Sequence, residues 1–575
     1  MTRTPDLVVR NGWIIDGSGG EPFRGDVAVV GGVIAEVGAV SARGREEIDA
    51  SGLLVTPGFV DIHTHYDGQV TWDARVTPSS LHGVTTAVMG NCGVGFAPVQ
   101  PVHHDMLIEL MEGVEDIPGA ALHEGLPWSW SSFPEYLDAI ERMPHDIDVC
   151  AQVPHGALRV YVMGERGAQR DAATDGEIAE MGRLVEQALA AGALGFTSSR
   201  TVQHRTSKGE PTPTLTAAEG ELRGIAAGLR RAGAGVIEMI SDFEDLDGEF
   251  DLFCRMVEDA GRPMTISLAQ RDSAPDNWKV LLSRIEGAAA RGLAMKGQVA
   301  VRPIGVLLGL ECSLHPFVAC PSYRAIAKLP LAERVREMRD PELRQRILGE
   351  TAQSSNSTVR YIARSYQKLY RLGDPPDYEP DPETSALAQA RRAGRSPGEL
   401  AYDWLLEADG REILYFPLHN YAEHTLDAVR AMMTHKDTVS GLGDGGAHVG
   451  TICDASFPTH ALTHWGRDRA SGRFELPWLI KRQTSDTAAA VGLLDRGLVR
   501  PGMKADLNVI DFARLRMRRP YIVYDLPANG RRLMQKADGY VATVVSGVVT
   551  YREGEPTGAL PGKLVRGAQP RRTAW

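Results

Sequence analysis

Gly58-Phe59-Val60-Asp61-Ile62-His63-Thr64-His65 is an apolar run that ends in His-x-His. In a β-strand, residues two apart project from the same face. His63 and His65 would therefore leave the end of one strand together. Two neutral imidazoles on one face make half of a good site for zinc or a related metal. Pro57 before the run and Asp67-Gly68 after it mark a sharp entry and exit. Alone, the pattern equally fits two ordinary strand-end histidines, so its meaning depends on the rest of the chain.

Upstream, residues 1–56 read as short strands. Leu7–Arg10, Trp13–Asp16, Asp26–Val30 and Val33–Val37 are separated by Asn11-Gly12, Gly17-Ser18-Gly19-Gly20 and Gly31-Gly32. These separators are hairpin signals. So small a piece cannot bury a core unaided. The far end of the chain offers partners in Leu507–Ile510, Tyr540–Val545 and Val548–Tyr551. The two ends, 1–56 and 491–575, are expected to form one small β domain.

Downstream, apolar strands alternate with helical patterns, as in a parallel α/β fold. After the His-x-His run come Gly83–Met89, Ile147–Val153, Leu194–Ser198, Ala234–Ile240, Pro263–Leu268, Leu293–Ala300 and Thr438–Gly443. Ile178, Met181, Leu184, Val185 and Leu189 have helical spacing before Gly192. Ala217–Ala232 and Phe250–Ala260 read likewise. About eight strands predict a (β/α)₈ TIM-like barrel over 57–490. The alternative is a doubly wound open sheet, for which no GxGxxG or phosphate loop is present. Residues 303–412 exceed an ordinary connection and are expected to form a lid, a substrate wall or a subunit contact, with a helix near Leu331–Arg339.

The net charge of −12, from 62 basic and 74 acidic residues, disfavours a general nucleic-acid binder. No apolar run is long enough for a membrane span, and no secretory signal is visible at the start. Six cysteines scattered without a CxxC predict reduced thiols and a cytoplasmic setting. Homo-oligomerisation is left open.

Barrel active sites lie at the carboxyl ends of the strands. Two further strand ends there are unusual. Gly90-Asn91-Cys92-Gly93 follows the second strand, and a thiolate is a strong zinc ligand. Gly443-Asp444-Gly445-Gly446-Ala447-His448 follows the last strand, and a carboxylate beside a metal can take a proton from water and pass it to a leaving amine. A tight glycine turn and a common Asp-Gly turn are the bland readings of each. The conjunction of His63, His65, Cys92 and Asp444 is far more specific than any one of them.

At these residues the chain resembles a family. Leu54-Val55-Thr56-Pro57-Gly58-Phe59-Val60-Asp61-Ile62-His63-Thr64-His65 looks like the first-strand motif of the amidohydrolase superfamily. Gly83-Val84-Thr85-Thr86 and Gly90-Asn91-Cys92-Gly93-Val94 resemble its branch of N-acyl-D-amino-acid deacylases. Gly195–Ser199, Asp444-Gly445-Gly446 and Gly497–Leu507 extend the likeness over nearly the whole chain. The resemblance implies a metal-dependent barrel beside a small β-sandwich built from both ends. It implies a zinc ion held by His63, His65, Cys92 and Asp444, with Asp444 as the proton shuttle and a small N-acyl (D-)amino acid as substrate. It also exposes a departure. The deacylases place one histidine after the fifth strand and one after the sixth, but Ile237-Glu238-Met239-Ile240-Ser241-Asp242 and Ile266-Ser267-Leu268-Ala269-Gln270 contain none. One metal is therefore expected, or two with an altered second position. Glu238 and Asp242 are the substitutes, each otherwise a surface or cap carboxylate.

His155 and His419, with Tyr421 beside the latter, are candidates for a carbonyl oxygen, or else structural residues. Arg200 and Arg302 are candidates for a substrate carboxylate, or else ion-pair partners. The His464–Arg467 region is a candidate pocket wall. Other readings are a cyclic-amide or small-peptide hydrolase, and a non-catalytic scaffold on the same fold.

Overall fold

The structure, a computed structural model, describes residues 4–571. Eight parallel strands form a barrel. They are Phe59–Asp61, Val84–Met89, Asp148–Ala151 with its continuation Val153–Pro154, Gly195–Arg200, Val236–Ser241, Met264–Leu268, Met295–Val299 and Thr438–Ser440. Each pairs in parallel with the next. The seam between the eighth and first strands is closed just beyond their ends. There Asp444 N–H donates to His63 C=O at 3.0 Å, and His65 N–H to Gly445 C=O at 2.7 Å.

The helices that alternate with these strands are set by local signals. Asp175–Ala191 begins with a capping box between Thr174 and Glu177 and stops at Gly192 in the left-handed region. Glu219–Ala232 and Leu246–Ala260 end likewise at Gly233 and Gly261. Their apolar faces join the strands in the main core, where Met181, Val185, Leu222, Ile225, Phe250 and Phe253 pack together.

Strands from both chain ends share one nine-stranded sheet. Leu54–Pro57 lies antiparallel to Leu507–Ile510, which pairs in turn with Tyr540–Val545. One local expectation is corrected. Asn11-Gly12 is no hairpin: Leu7–Ile14 is a single strand with a register shift between Val9 and Gly12. Asn11 sits at φ 58° in a bulge, which bends the strand without reversing it. Residues beyond this sheet return to the barrel, where Val565 N–H donates to Val149 C=O at 2.8 Å.

The 303–412 region is folded. Gly305–Leu308, Tyr370–Arg371 and Leu414–Pro417 make a three-stranded antiparallel sheet. Helices such as Leu331–Met338 pack on it around Phe317, Met338, Ile347 and Trp404. Lys368 Nζ and Tyr361 Oη both donate to Asp272 Oδ2 at 2.5 Å, tying this region to the turn after the sixth barrel strand.

At the amino end of the third strand a buried ionic network joins barrel and C-terminal segment. Arg496 Nη1 donates to Asp148 Oδ2 at 2.8 Å and to Thr86 Oγ1 at 2.9 Å, and Lys504 Nζ lies 3.1 Å from Asp148. Removing one partner strands the others in a medium that cannot solvate them. Arg496→Ala is expected to destabilise the fold by about 3–5 kcal/mol, read as a shifted urea midpoint.

Candidate metal centre

The closed seam fixes the site. Because the backbones of His63 and Asp444 are hydrogen-bonded, their side chains meet. Asp444 Oδ1 lies 3.4 Å from His63 Nε2 and 3.7 Å from His65 Nε2. Cys92 Sγ lies 3.3 Å from His63 Nε2. Donor atoms of His63, His65 and Cys92 fall within 4.8 Å of one another, a spacing at which one ion can be held by all three.

The turn that presents Cys92 is set by its backbone. Cys92 itself has φ 54°, between Gly90 and Gly93, also at positive φ. A Cβ at position 93 would stand 2.9 Å from Ser198 Cα, so only glycine lets the turn lie against the fourth strand. Asn91 Nδ2 donates to Thr64 C=O and Val88 C=O, tying the turn to the His-x-His strand. Cys92 N–H donates to Glu238 Oε2 at 2.8 Å.

Several further side chains enter the same space. Glu115, the last residue of helix His104–Glu115, is 1% exposed and lies 3.2 Å from His65 Nδ1. Its two oxygens and that nitrogen lack an aligned hydrogen-bond partner among the described residues. Glu238 is also 1% exposed, with Oε1 unpartnered. The surface or cap role expected of Glu238 is thereby corrected, because a mid-strand carboxylate in a barrel has no route to solvent. His448 Nε2 is 3.8 Å from Glu115 Oε2, and His204, on the loop after the fourth strand, lines the same cavity.

The electrostatics are those of acidic groups and imidazoles crowded together out of water. Burial pushes the Glu238 carboxyl up to about 8 and the Cys92 thiol well above its usual value. Burial opposes the charge of His65, but Glu115 and Asp444 outweigh it and raise the imidazole to about 9. Burial likewise opposes the charge of Asp444, but His65 and His63 hold it well below the ordinary carboxylate range. Burial lowers His63 to about 4, so it is neutral. Buried unpartnered carboxylate oxygens are costly. A divalent ion among a thiol, imidazoles and carboxylates would relieve them, and these donors suit zinc. The residues present therefore fit a metal.

The cavity above this cluster measures about 270 Å³. His419 reaches it, half-buried, with a buried Nδ1 that is unpartnered among the described residues and a pKa lowered by desolvation to about 4. The other residues considered for substrate are held elsewhere. His155 bonds Ser198 Oγ and Glu221 Oε1, both at 2.8 Å. Arg200 is locked on Glu249, with Nε to both carboxylate oxygens at 2.9 Å. Tyr421 Oη donates to Pro380 C=O. Arg302 pairs with Asp454 at 2.8 Å and lies 3.6 Å over the Tyr378 ring. Arg467 donates to Phe512 C=O and Leu515 C=O. Asp242, although it borders the cavity, accepts from Thr201 Oγ1 and Val202 N–H at 2.7 Å and so secures a loop. The cavity's guanidinium is that of Arg271, whose Nη2 donates to Asp242 C=O at 2.6 Å.

Comparison with known proteins identifies the family. The model of the amidohydrolase family matches residues 46–551. An uncharacterised protein of Mycobacterium tuberculosis is 26% identical over 600 residues, covering 96% of this chain and 93% of its own. A D-aminoacylase of Alcaligenes xylosoxydans xylosoxydans is 38% identical over 194 residues, which is 34% of this chain and 37% of that protein. The structure of N-acyl-D-glutamate deacylase from Bordetella bronchiseptica, complexed with zinc and a phosphonate inhibitor, superposes with a TM-score of 0.65 at 22% identity. It covers 98% of this chain and 100% of that one, and shows the shared fold. The chain belongs to the amidohydrolase family.

A metal bound only by the folded chain stabilises it by about 4 kcal/mol when present at a thousand times its Kd. Chelation is expected to lower the thermal midpoint, and Cys92→Ala to lower metal content. Both are read by scanning calorimetry beside elemental analysis of the purified protein.

Proposed function

We propose that this amidohydrolase is a metal-dependent amide hydrolase that deacylates small N-acyl amino acids, of D configuration. The observation that carries the reading is the meeting of His63, His65, Cys92 and Asp444 at the floor of a cavity whose wall holds one arginine. The names of its relatives, D-aminoacylase and N-acyl-D-glutamate deacylase, support the substrate class.

His63, His65, Cys92 and Asp444 would hold a single zinc ion. When bound, it supplies Lewis acidity, polarising an amide carbonyl and lowering the pKa of water. The chain supplies the rest. Asp444, kept ionised by the two imidazoles, is the base that accepts the proton of the attacking water. The same carboxyl then returns that proton to the departing nitrogen, so that an acid and a free amine leave. His448 and His204, from separate loops, face the space where charge develops on the carbonyl oxygen and can donate to it.

Arg271 receives the substrate carboxylate. Its Nη1 is 3.6 Å from Asp242 Oδ1, a loose contact that leaves guanidinium donors for a ligand. Phe243, Leu246, Trp278, Leu281, Ile304 and Leu418 give the cavity an apolar wall for an acyl chain or side chain.

Asp444→Asn should lower kcat by about 10²–10⁴-fold, while His63, His65 and Cys92 retain part of the metal. The assay is release of free amine from a panel of N-acyl-D- and N-acyl-L-amino acids. Near-normal turnover in this variant would overturn the assignment. Arg271→Met should raise KM by about tenfold for substrates with a free carboxylate, about 1.4 kcal/mol, and little for their methyl esters. An equal loss on both would remove Arg271 from the carboxylate site.

A further inference from the structure

Gln298 lies on the seventh strand, remote in sequence from every motif considered above. It is buried, and its amide touches two other strands. Its Oε1 is 2.9 Å from Nδ1 of His63 on the first strand. Its Nε2 donates to Oγ1 of Thr265 on the sixth strand at 2.8 Å. Room for this amide is left by Gly441, just past the eighth strand. A Cβ there would stand 2.5 Å from Gln298 Oε1. Thus residues of three strands form one hydrogen-bonded unit, and the end of a fourth leaves room for it.

We infer that Gln298 fixes the tautomer of His63, so that its Nε2 lone pair faces Cys92 and Asp444. The inference rests on the reading of that cluster as a metal centre. An amide has one donor end and one acceptor end. Oε1 faces His63 while Nε2 lies on Thr265, and a carbonyl oxygen can only accept. Nδ1 of His63 therefore carries the hydrogen. In a neutral imidazole the other nitrogen is then the acceptor. That nitrogen, Nε2, stands 3.3 Å from Cys92 Sγ and 3.4 Å from Asp444 Oδ1. Were the amide reversed, Nδ1 would accept and Nε2 would carry the hydrogen, blocking the position an ion needs. Thr265 anchors the far end of this amide but, as a hydroxyl able to donate or accept, does not choose its direction. Gln298 and Thr265 are positioning residues, since neither touches the cavity where substrate would lie. Partners of this kind set metal affinity by about 10–100-fold elsewhere.

The test is zinc affinity of the purified protein, by competition with a chromophoric chelator, for wild type and three variants. Gln298→Leu removes the acceptor and should weaken zinc binding 10–100-fold. Gln298→Glu restores an acceptor at the same place and should stay within about threefold of wild type, because a carboxylate can only accept from Nδ1–H. Gln298→Met, closer to glutamine in shape but without the amide oxygen, should weaken it to a similar extent as Gln298→Leu. Wild-type affinity in Gln298→Leu would overturn the inference. So would equal weakening in Gln298→Leu and Gln298→Glu, since that pattern marks a packing role. Should Gln298→Leu fail to fold, wild-type affinity in the near-isosteric Gln298→Met decides against the inference instead. A wild type that takes up no zinc would sink the hydrolase reading and this inference with it. Zinc held equally by wild type and Gln298→Leu would sink the inference alone.

Discussion

Everything at the site depends on two backbone hydrogen bonds across the barrel seam, from Asp444 N–H to His63 C=O and from His65 N–H to Gly445 C=O. A barrel must close or leave a sheet edge open. Here closure is performed by the residues that carry the functional side chains. The first strand delivers two imidazoles, the last a carboxylate, and pairing their ends sets the separation of these groups. The thiol joins through a neighbouring constraint, the Gly90–Gly93 turn, which Asn91 fastens to Thr64. Geometry and fold are therefore one problem, and a slip in the seam register would disperse the cluster.

The second constraint is charge. Glu115, Glu238 and Asp444 lie together in the barrel mouth with a thiol, and the opposing positive groups are histidines. In a low-dielectric interior such a group holds protons or an ion. Protons would sit on His65 and Glu238, whose pKa values rise to about 9 and about 8. A metal would displace them. The barrel's opposite end shows the contrasting solution: Asp148 is met by Arg496 and Lys504 and needs no ion.

The strands could be read from the sequence because buried parallel strands are near-continuous apolar runs, such as Ala234–Ile240 and Leu293–Ala300. His63, His65, Cys92 and Asp444 were legible because each follows directly on such a run. Arg200 also ends a strand, yet it turns to Glu249. Which way a strand-end side chain faces depends on a one-residue parity that composition does not reveal. Tyr421 and His155 failed as cavity residues for a related reason: each finds a local partner at close range. Glu115 gave no periodic sign: it closes an amphipathic helix at the end where the helix dipole disfavours a carboxylate, which stands out only once the helix bounds are known. Glu238 and Gln298 did give one. A charged or amide side chain inside an otherwise apolar parallel strand must be buried, and a buried polar group needs a partner. His448 lies in the same turn as Asp444 and shares its signal.

The sheet shared by both ends has a consequence for how the molecule is made. Val55, eight residues before His63, hydrogen-bonds through its strand to the strand of Val509. The anchor of the first barrel strand thus leaves the ribosome long after that strand itself. During synthesis the His-x-His segment must wait, exposed beside its nascent neighbours, and contacts this distant in sequence form slowly. A chain released early would retain every residue of the metal cluster, yet lack the strand that holds the first of them in line.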